Sequence, residues 1–299
     1  MAANQPHCFG RSPAETCYCS HQPASVCTHG RFAYNGLVDT ASGPVPAYRL
    51  PRRRIPGLVW SVLALQQRSF AADSTRAITG VNPQPHIVGA DQIPTFGPCL
   101  IVCNHYGRPG FDTWWLTYSI QAAVAARRGP GADPEIRWVM TAAWTYPPGS
   151  WRGRIVTPLT RWTFRRIAQV YGFVAMPPMP PHPSEVEARA TAVRKTARLA
   201  RQAAQNGGMV GLAPQGGDVV SRLAAPPPGA GEFIALLAGA GLPVLPVGVV
   251  EHAGRLRLAF GPPFVPEIPP RRAGRDKVIS DQLMAALGRL LPGTGSELW

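Results

Sequence analysis

The chain has almost no lysine. Thirty of its 299 residues are basic, yet lysine stands only at positions 195 and 277, so the formal charge of +14 is carried by arginine. Acids are scarce as well, with sixteen Asp and Glu in all. A balance this basic points to a polyanionic partner: nucleic acid, an anionic lipid surface or a phosphorylated substrate. A GC-rich genome is a second possible cause of the same arginine bias. No helix-turn-helix, zinc-finger or RNP-like pattern is present, so nucleic acid is not the expected partner. No apolar run approaches the roughly 20 residues that a membrane-spanning helix needs. The N-terminus lacks a basic segment followed by an apolar one, which argues against a secretory signal and makes the cytoplasm the expected compartment. There is no internal repeat and no Cys-x-x-Cys pair. Cysteines 8, 17, 19 and 27 crowd the N-terminus with His7, His21 and His29, but their spacing in a short polar segment does not match a zinc site, and no metal is expected.

What is present is a large apolar body. Hydrophobic residues make up 45% of the chain and charged residues 15%, enough for one sizeable core. Residues 1–48 are rich in Ser, Pro, Ala and Gly without periodicity and read as a disordered tail; residues 49–299 read as the folded domain. Arg52-Arg53-Arg54 leads into an apolar helix over 58–65 that contains Trp60. That helix suits either a membrane interface or the cover of an ordinary core. Short strands are expected at 86–89, 98–102, 135–142, 171–174, 209–213, 242–250 and 255–260. Helices are expected from 113 onward, over 157–170, from a capping box at Ser184 and Glu187 to Asn206-Gly207, and over 276–291. Strands alternating with helices imply an α/β fold. Cys99 and Cys103, in or beside a buried strand, read as small hydrophobes, and Trp114, Trp115 and Trp144 read as core.

The most informative stretch is Cys103-Asn104-His105-Tyr106-Gly107-Arg108-Pro109-Gly110-Phe111-Asp112. His105 falls where a strand ends and a helix is about to begin, the place where α/β folds gather chemistry. A nearby helix N-terminus favours neutral imidazole, the form a general base needs. A carboxylate, Asp112, follows seven residues later. It reads either as the group that orients the imidazole or as a helix-start residue stabilised by the dipole.

Four stretches, taken together, resemble the glycerolipid acyltransferases related to 1-acyl-glycerol-3-phosphate acyltransferase. Asn104-His105 with Asp112 resembles the first block of that family, where four residues separate His from Asp. Gly172-Phe173-Val174 falls at the second block. Leu212-Ala213-Pro214-Gln215-Gly216 resembles the third, usually Phe-Pro-Glu-Gly. Leu242 to Gly248, followed by Gly261-Pro262-Pro263-Phe264, resembles the fourth. The match spans about residues 80–266. The resemblance implies a mixed, largely parallel central sheet flanked by helices. It implies transfer of a fatty acyl group from acyl-CoA or acyl carrier protein to a hydroxyl, usually of a lysophospholipid, with His105 and Asp112 catalytic and no cofactor. Arg108, Pro214, Gln215, Gly216 and Arg222 become the candidates for binding substrate. An acyl thioester donor, a lipid acceptor and an anionic membrane surface become the expected partners, with the protein peripheral at the inner membrane surface. Two departures bear on this. Six residues, not four, separate His105 from Asp112, and Gln215 with Gly217-Asp218 replaces the family's Glu-Gly-Thr-Arg, which removes a cation that would clamp phosphate. Arg152 and Arg154 are alternative cations, or simply surface arginines. The second reading is a catalytically impaired lipid- or acyl-binding protein of the same fold.

Overall fold

The computed structural model describes Tyr48 and residues 52–107, 111–147, 149–178, 181–215 and 223–292. Residues 1–47 of the expected disordered tail, with its Cys/His cluster, and the candidates Arg108, Gly216 and Arg222 lie outside the described residues, while Tyr48, at the end of that stretch, is buried in the core.

The fold is built on one short strand whose residues are all apolar. β2 (Cys99–Cys103) is fully buried, with Cys99, Ile101 and Cys103 facing one core and Leu100 and Val102 the other. A strand without a polar face must be covered on both sides, and burying each large side chain is worth roughly 1.5–3 kcal/mol. Burial also pushes both thiols up to about 12, so Cys99 and Cys103 behave as hydrophobes.

The other strands are β1 (His86–Val88), β3 (Ile136–Thr141), β4 (Val174–Met176), β5 (Met209–Leu212), β6 (Val244–His252) and β7 (Arg255–Phe260). They form one seven-stranded sheet in the order β1-β7-β6-β2-β5-β3-β4. β6, β2, β5, β3 and β4 run parallel to their neighbours, and only the β6–β7 hairpin is antiparallel, with β1 parallel to β7. This is the mixed, largely parallel sheet that the family resemblance implied. On one face lie α2 (Phe70–Thr79), α3 (Trp114–Arg127) and the last turns of α4 (Trp151–Tyr171). On the other lie α5 (Val186–Asn206), α6 (Ala230–Ala238) and α7 (Arg275–Gly288). α1 (Ile55–Ala64) packs against α4. None of the described helices is long and apolar enough to cross a membrane.

Several local expectations are corrected. α4 begins six residues earlier than read, because Ser150 caps it by accepting from the Gly153 amide, and Pro158 is carried inside the helix. Its end also takes in Tyr171. Gly172, at φ 70°, terminates it, so β4 starts at Val174 rather than at 171. The capping box does not form: Pro183–Glu185 make a 3-10 turn, the Ser184 amide and hydroxyl meet the His182 ring, and Glu187 pairs with Arg194. Trp115 is core, but Trp114 and Trp144 are exposed. α2 and α6 had no expectation at all. α2 depends on a distant residue: the Glu135 carboxylate accepts from the Phe70 and Ala71 amides and the Ser69 hydroxyl, neutralising a helix N-terminus. Arg68, Asp73 and Tyr171 then tie α2 to the end of α4. Arg68 donates twice to Asp73 at 2.7 Å, and the Tyr171 hydroxyl donates at 2.9 Å. Burial alone would raise the Asp73 carboxyl, but these donors outweigh it and hold it below its ordinary value.

Candidate active site

β2, β5 and β6 are parallel and in register, so their carboxyl ends open on one edge of the sheet. At that edge β2 leaves the sheet through Asn104 and His105, and its backbone is held from both sides.

On the β6 side, the Asn104 carboxamide takes the place of a peptide group. Its Nδ2 donates to the Val249 carbonyl at 2.8 Å and its Oδ1 accepts from the Val249 amide at 2.7 Å. The side chain thus extends the β2–β6 ladder past Cys103, the last paired residue of β2. A buried amide with donor and acceptor both matched is stabilising, whereas either half left unpaired would cost about 1–3 kcal/mol. β6 continues to His252, and the Tyr106 hydroxyl donates to Glu251 on that extension at 3.0 Å.

On the β5 side, the chain turns through Pro214 into Gln215, which is buried. Gln215 Oε1 accepts from the His105 amide at 2.9 Å, and Nε2 donates to the Ala224 carbonyl. Both ends of this carboxamide are therefore used within the protein. Gln215 thereby fixes the backbone of His105 and the strand-exit loop. Its amide also explains the departure from Glu, because a carboxylate could not donate to Ala224.

His105 itself is half-buried, and its Nδ1 is buried without a hydrogen-bond partner among the described residues. Burial disfavours the imidazolium and lowers the ring's affinity for a proton below the ordinary value. The side chain is thus neutral at neutral pH. Asp112 does not meet it: the carboxyl-bearing residue is exposed at the start of α3, where its carbonyl accepts from the Trp115 amide, and Nδ1 receives no bond from it. The structure therefore brings together His105, Asn104 and Gln215, with Pro214 beside them, and leaves Asp112 apart. Arg152 is exposed near the start of α4, 5.6 Å from the Trp151 ring centroid. The sequence reading did not foresee the role of Asn104. The only available signal was an amide beside the histidine at a strand end, because its partner is 145 residues away.

No family model matches the chain, and no curated protein does. Among solved structures it is similar to the crystal structure of the 1-acyl-sn-glycerophosphate (LPA) acyltransferase, PlsC, from Thermotoga maritima. The identity is 13%, with 81% of this chain and 85% of that chain covered and a TM-score of 0.42. At that level of likeness, what this chain does has to be sought in its own residues.

Proposed function

We propose that the protein is an O-acyltransferase that moves a fatty acyl group from an acyl-CoA or acyl carrier protein thioester to the hydroxyl of a lysophospholipid or glycerol-phosphate-like lipid, at a membrane surface. The observation that carries this reading is the neutral His105 at the open carboxyl edge of the central strand, on a backbone held by Asn104 and Gln215. Its Nε2, the ring nitrogen that is not buried, takes the proton from the acceptor hydroxyl as that oxygen bonds to the thioester carbonyl carbon. The tetrahedral intermediate collapses with rupture of the carbon–sulfur bond, and the imidazolium returns the proton to the departing thiolate. The products are an ester and a free thiol, with no oxidant or metal in the balance. A base already neutral and already aimed contributes roughly 10²–10⁴ in rate.

The catalytically impaired binder is favoured by one specific observation, the absence of an Asp112–His105 bond. One experiment separates the two readings: thiol release from acyl-CoAs and from acyl carrier protein thioesters, with and without lysophospholipid, on wild type, His105→Ala and Asp112→Asn. Acceptor-dependent release that falls at least about a hundredfold in His105→Ala, and less than about tenfold in Asp112→Asn, supports the enzyme with Asp112 as a helix-start residue. Acceptor-dependent release unchanged in His105→Ala would overturn the mechanism. No release from folded wild type with either donor class would favour the binder.

A further inference from the structure

α4 is apolar on two sides. Phe164, Ala168 and Tyr171 turn inward. Trp151, Ile155, Leu159 and Trp162 follow at i, i+4, i+8 and i+11, which places them on one face of the helix, and each is between 45% and 65% exposed. α1 repeats the pattern with Ile55, Val59 and Leu63, and Trp60 beside them is 63% exposed. The two helices are joined: Arg166 donates to the carbonyls of Val62 and Leu63 at 3.2 and 2.9 Å, and its guanidinium lies 4.7 Å from the Trp162 ring centroid. A contiguous exposed apolar surface of this kind marks a contact with another phase or partner.

The charge around it selects the occupant. From Arg52 to Ala72 the chain carries Arg52, Arg53, Arg54 and Arg68 and no acid; from Ala142 to Ser184 it carries Arg152, Arg154, Arg161, Arg165 and Arg166 and again no acid. Arg161 is paired with Glu185, while Arg152, Arg154 and Arg165 are exposed. Arg53 and Arg54 are exposed at the start of α1, and Arg76 on α2 lies 3.7 Å from the Asp73 carboxylate. A second copy of this chain meeting the same face would set arginine against arginine. Aliphatic side chains, tryptophans and arginines on one face are what the boundary of an anionic bilayer accepts.

We propose that α1 and α4 form a single docking face that seats this protein on the headgroup region of an anionic phospholipid bilayer. The topology gives the face its use. β3 runs parallel within the same sheet as β2, and α4 starts after the carboxyl end of β3, so the Trp151 end of α4 lies at the edge that carries His105. This proposal draws on the acyltransferase reading only in expecting a lipid acceptor, and vesicle binding and acyl transfer are measured separately.

The test is flotation of the full chain with vesicles of phosphatidylcholine alone or of phosphatidylcholine with phosphatidylglycerol, alongside gel filtration and circular dichroism. Wild type should float with the anionic vesicles, and so should His105→Ala, whatever either does in transfer. Ile155→Gln with Leu159→Gln, and separately Val59→Gln with Leu63→Gln, should each weaken partitioning by about a hundredfold while keeping the helical signal. Arg152→Gln with Arg154→Gln should weaken binding to anionic vesicles by about twentyfold and leave any binding to neutral vesicles unchanged. Three outcomes would overturn the proposal: wild type that floats with neither vesicle, folded α1 and α4 variants that float as wild type does, or a dimer that these variants dissolve. Flotation without transfer in wild type would instead count against the acyltransferase alone.

Discussion

At Gln215 one carboxamide serves two backbone partners, the His105 amide and the Ala224 carbonyl. Gln215→Glu keeps the acceptor and destroys the donor, setting a buried carboxylate against a carbonyl oxygen. The expected result is a loss of about 2–4 kcal/mol in urea unfolding and lower transfer, with Gln215→Ala the milder change. Recovery of lysophosphatidate use in Gln215→Glu without loss of stability would contradict it. With His105 as the proposed general base, its titration sets the pH response. Its proton affinity is lowered in the fold, so the base stays neutral below the ordinary histidine value of about 6.5. The acidic limb of kcat/KM should accordingly fall below that value. Stability follows the same sign. Between the folded and the higher unfolded pKa the unfolded chain binds more protons, so this group's contribution is complete above about pH 6.5 and is lost as pH falls toward the folded value.

Among the elements, α2 shows why local patterns mislead. Ser69 is an ordinary N-cap, accepting from the Ala72 amide at 2.9 Å, but the turn it begins is completed by Glu135, 66 residues on. Ser69→Ala and Glu135→Ala should each lower stability by about 1–2 kcal/mol. The double variant should lose less than the sum, because the two side chains share one hydrogen bond; strict additivity in a denaturant double-mutant cycle would refute the shared cap. At α5 the opposite happened. Ser184 and Glu187 have the spacing of a capping box, yet the His182 ring engages Ser184 and an arginine engages Glu187. A spacing rule sees four residues, whereas the competing partners here sit just outside that window. α4 is the third case: the sequence pattern opens it at Thr157, just before Pro158, although the helix runs from Trp151 through that proline.

For the whole molecule, charge and core are segregated. The sheet is covered on both faces by helices, while the acid-free segments 52–72 and 142–184 gather arginines around exposed tryptophans. Binding of that face to anionic vesicles should weaken as salt rises, since the Debye length shrinks from about 10 Å at 0.1 M to about 3 Å at 1 M.

The sequence by itself determined the α/β alternation, the buried central strand and the place of His105 at its carboxyl end. Those depend on apolar runs, glycine stops and periodicity, all of which act over a few residues. Only the tertiary structure decided what holds His105: the Asn104 and Gln215 carboxamides reach partners that parallel strand pairing, not chain proximity, brings within 3 Å. It also decided that Asp112 stands apart and that two helices distant in sequence present one apolar, arginine-rimmed face. Burial and pairing across a sheet are properties of the packed chain, and a spacing pattern carries no record of which distant backbone group will be waiting.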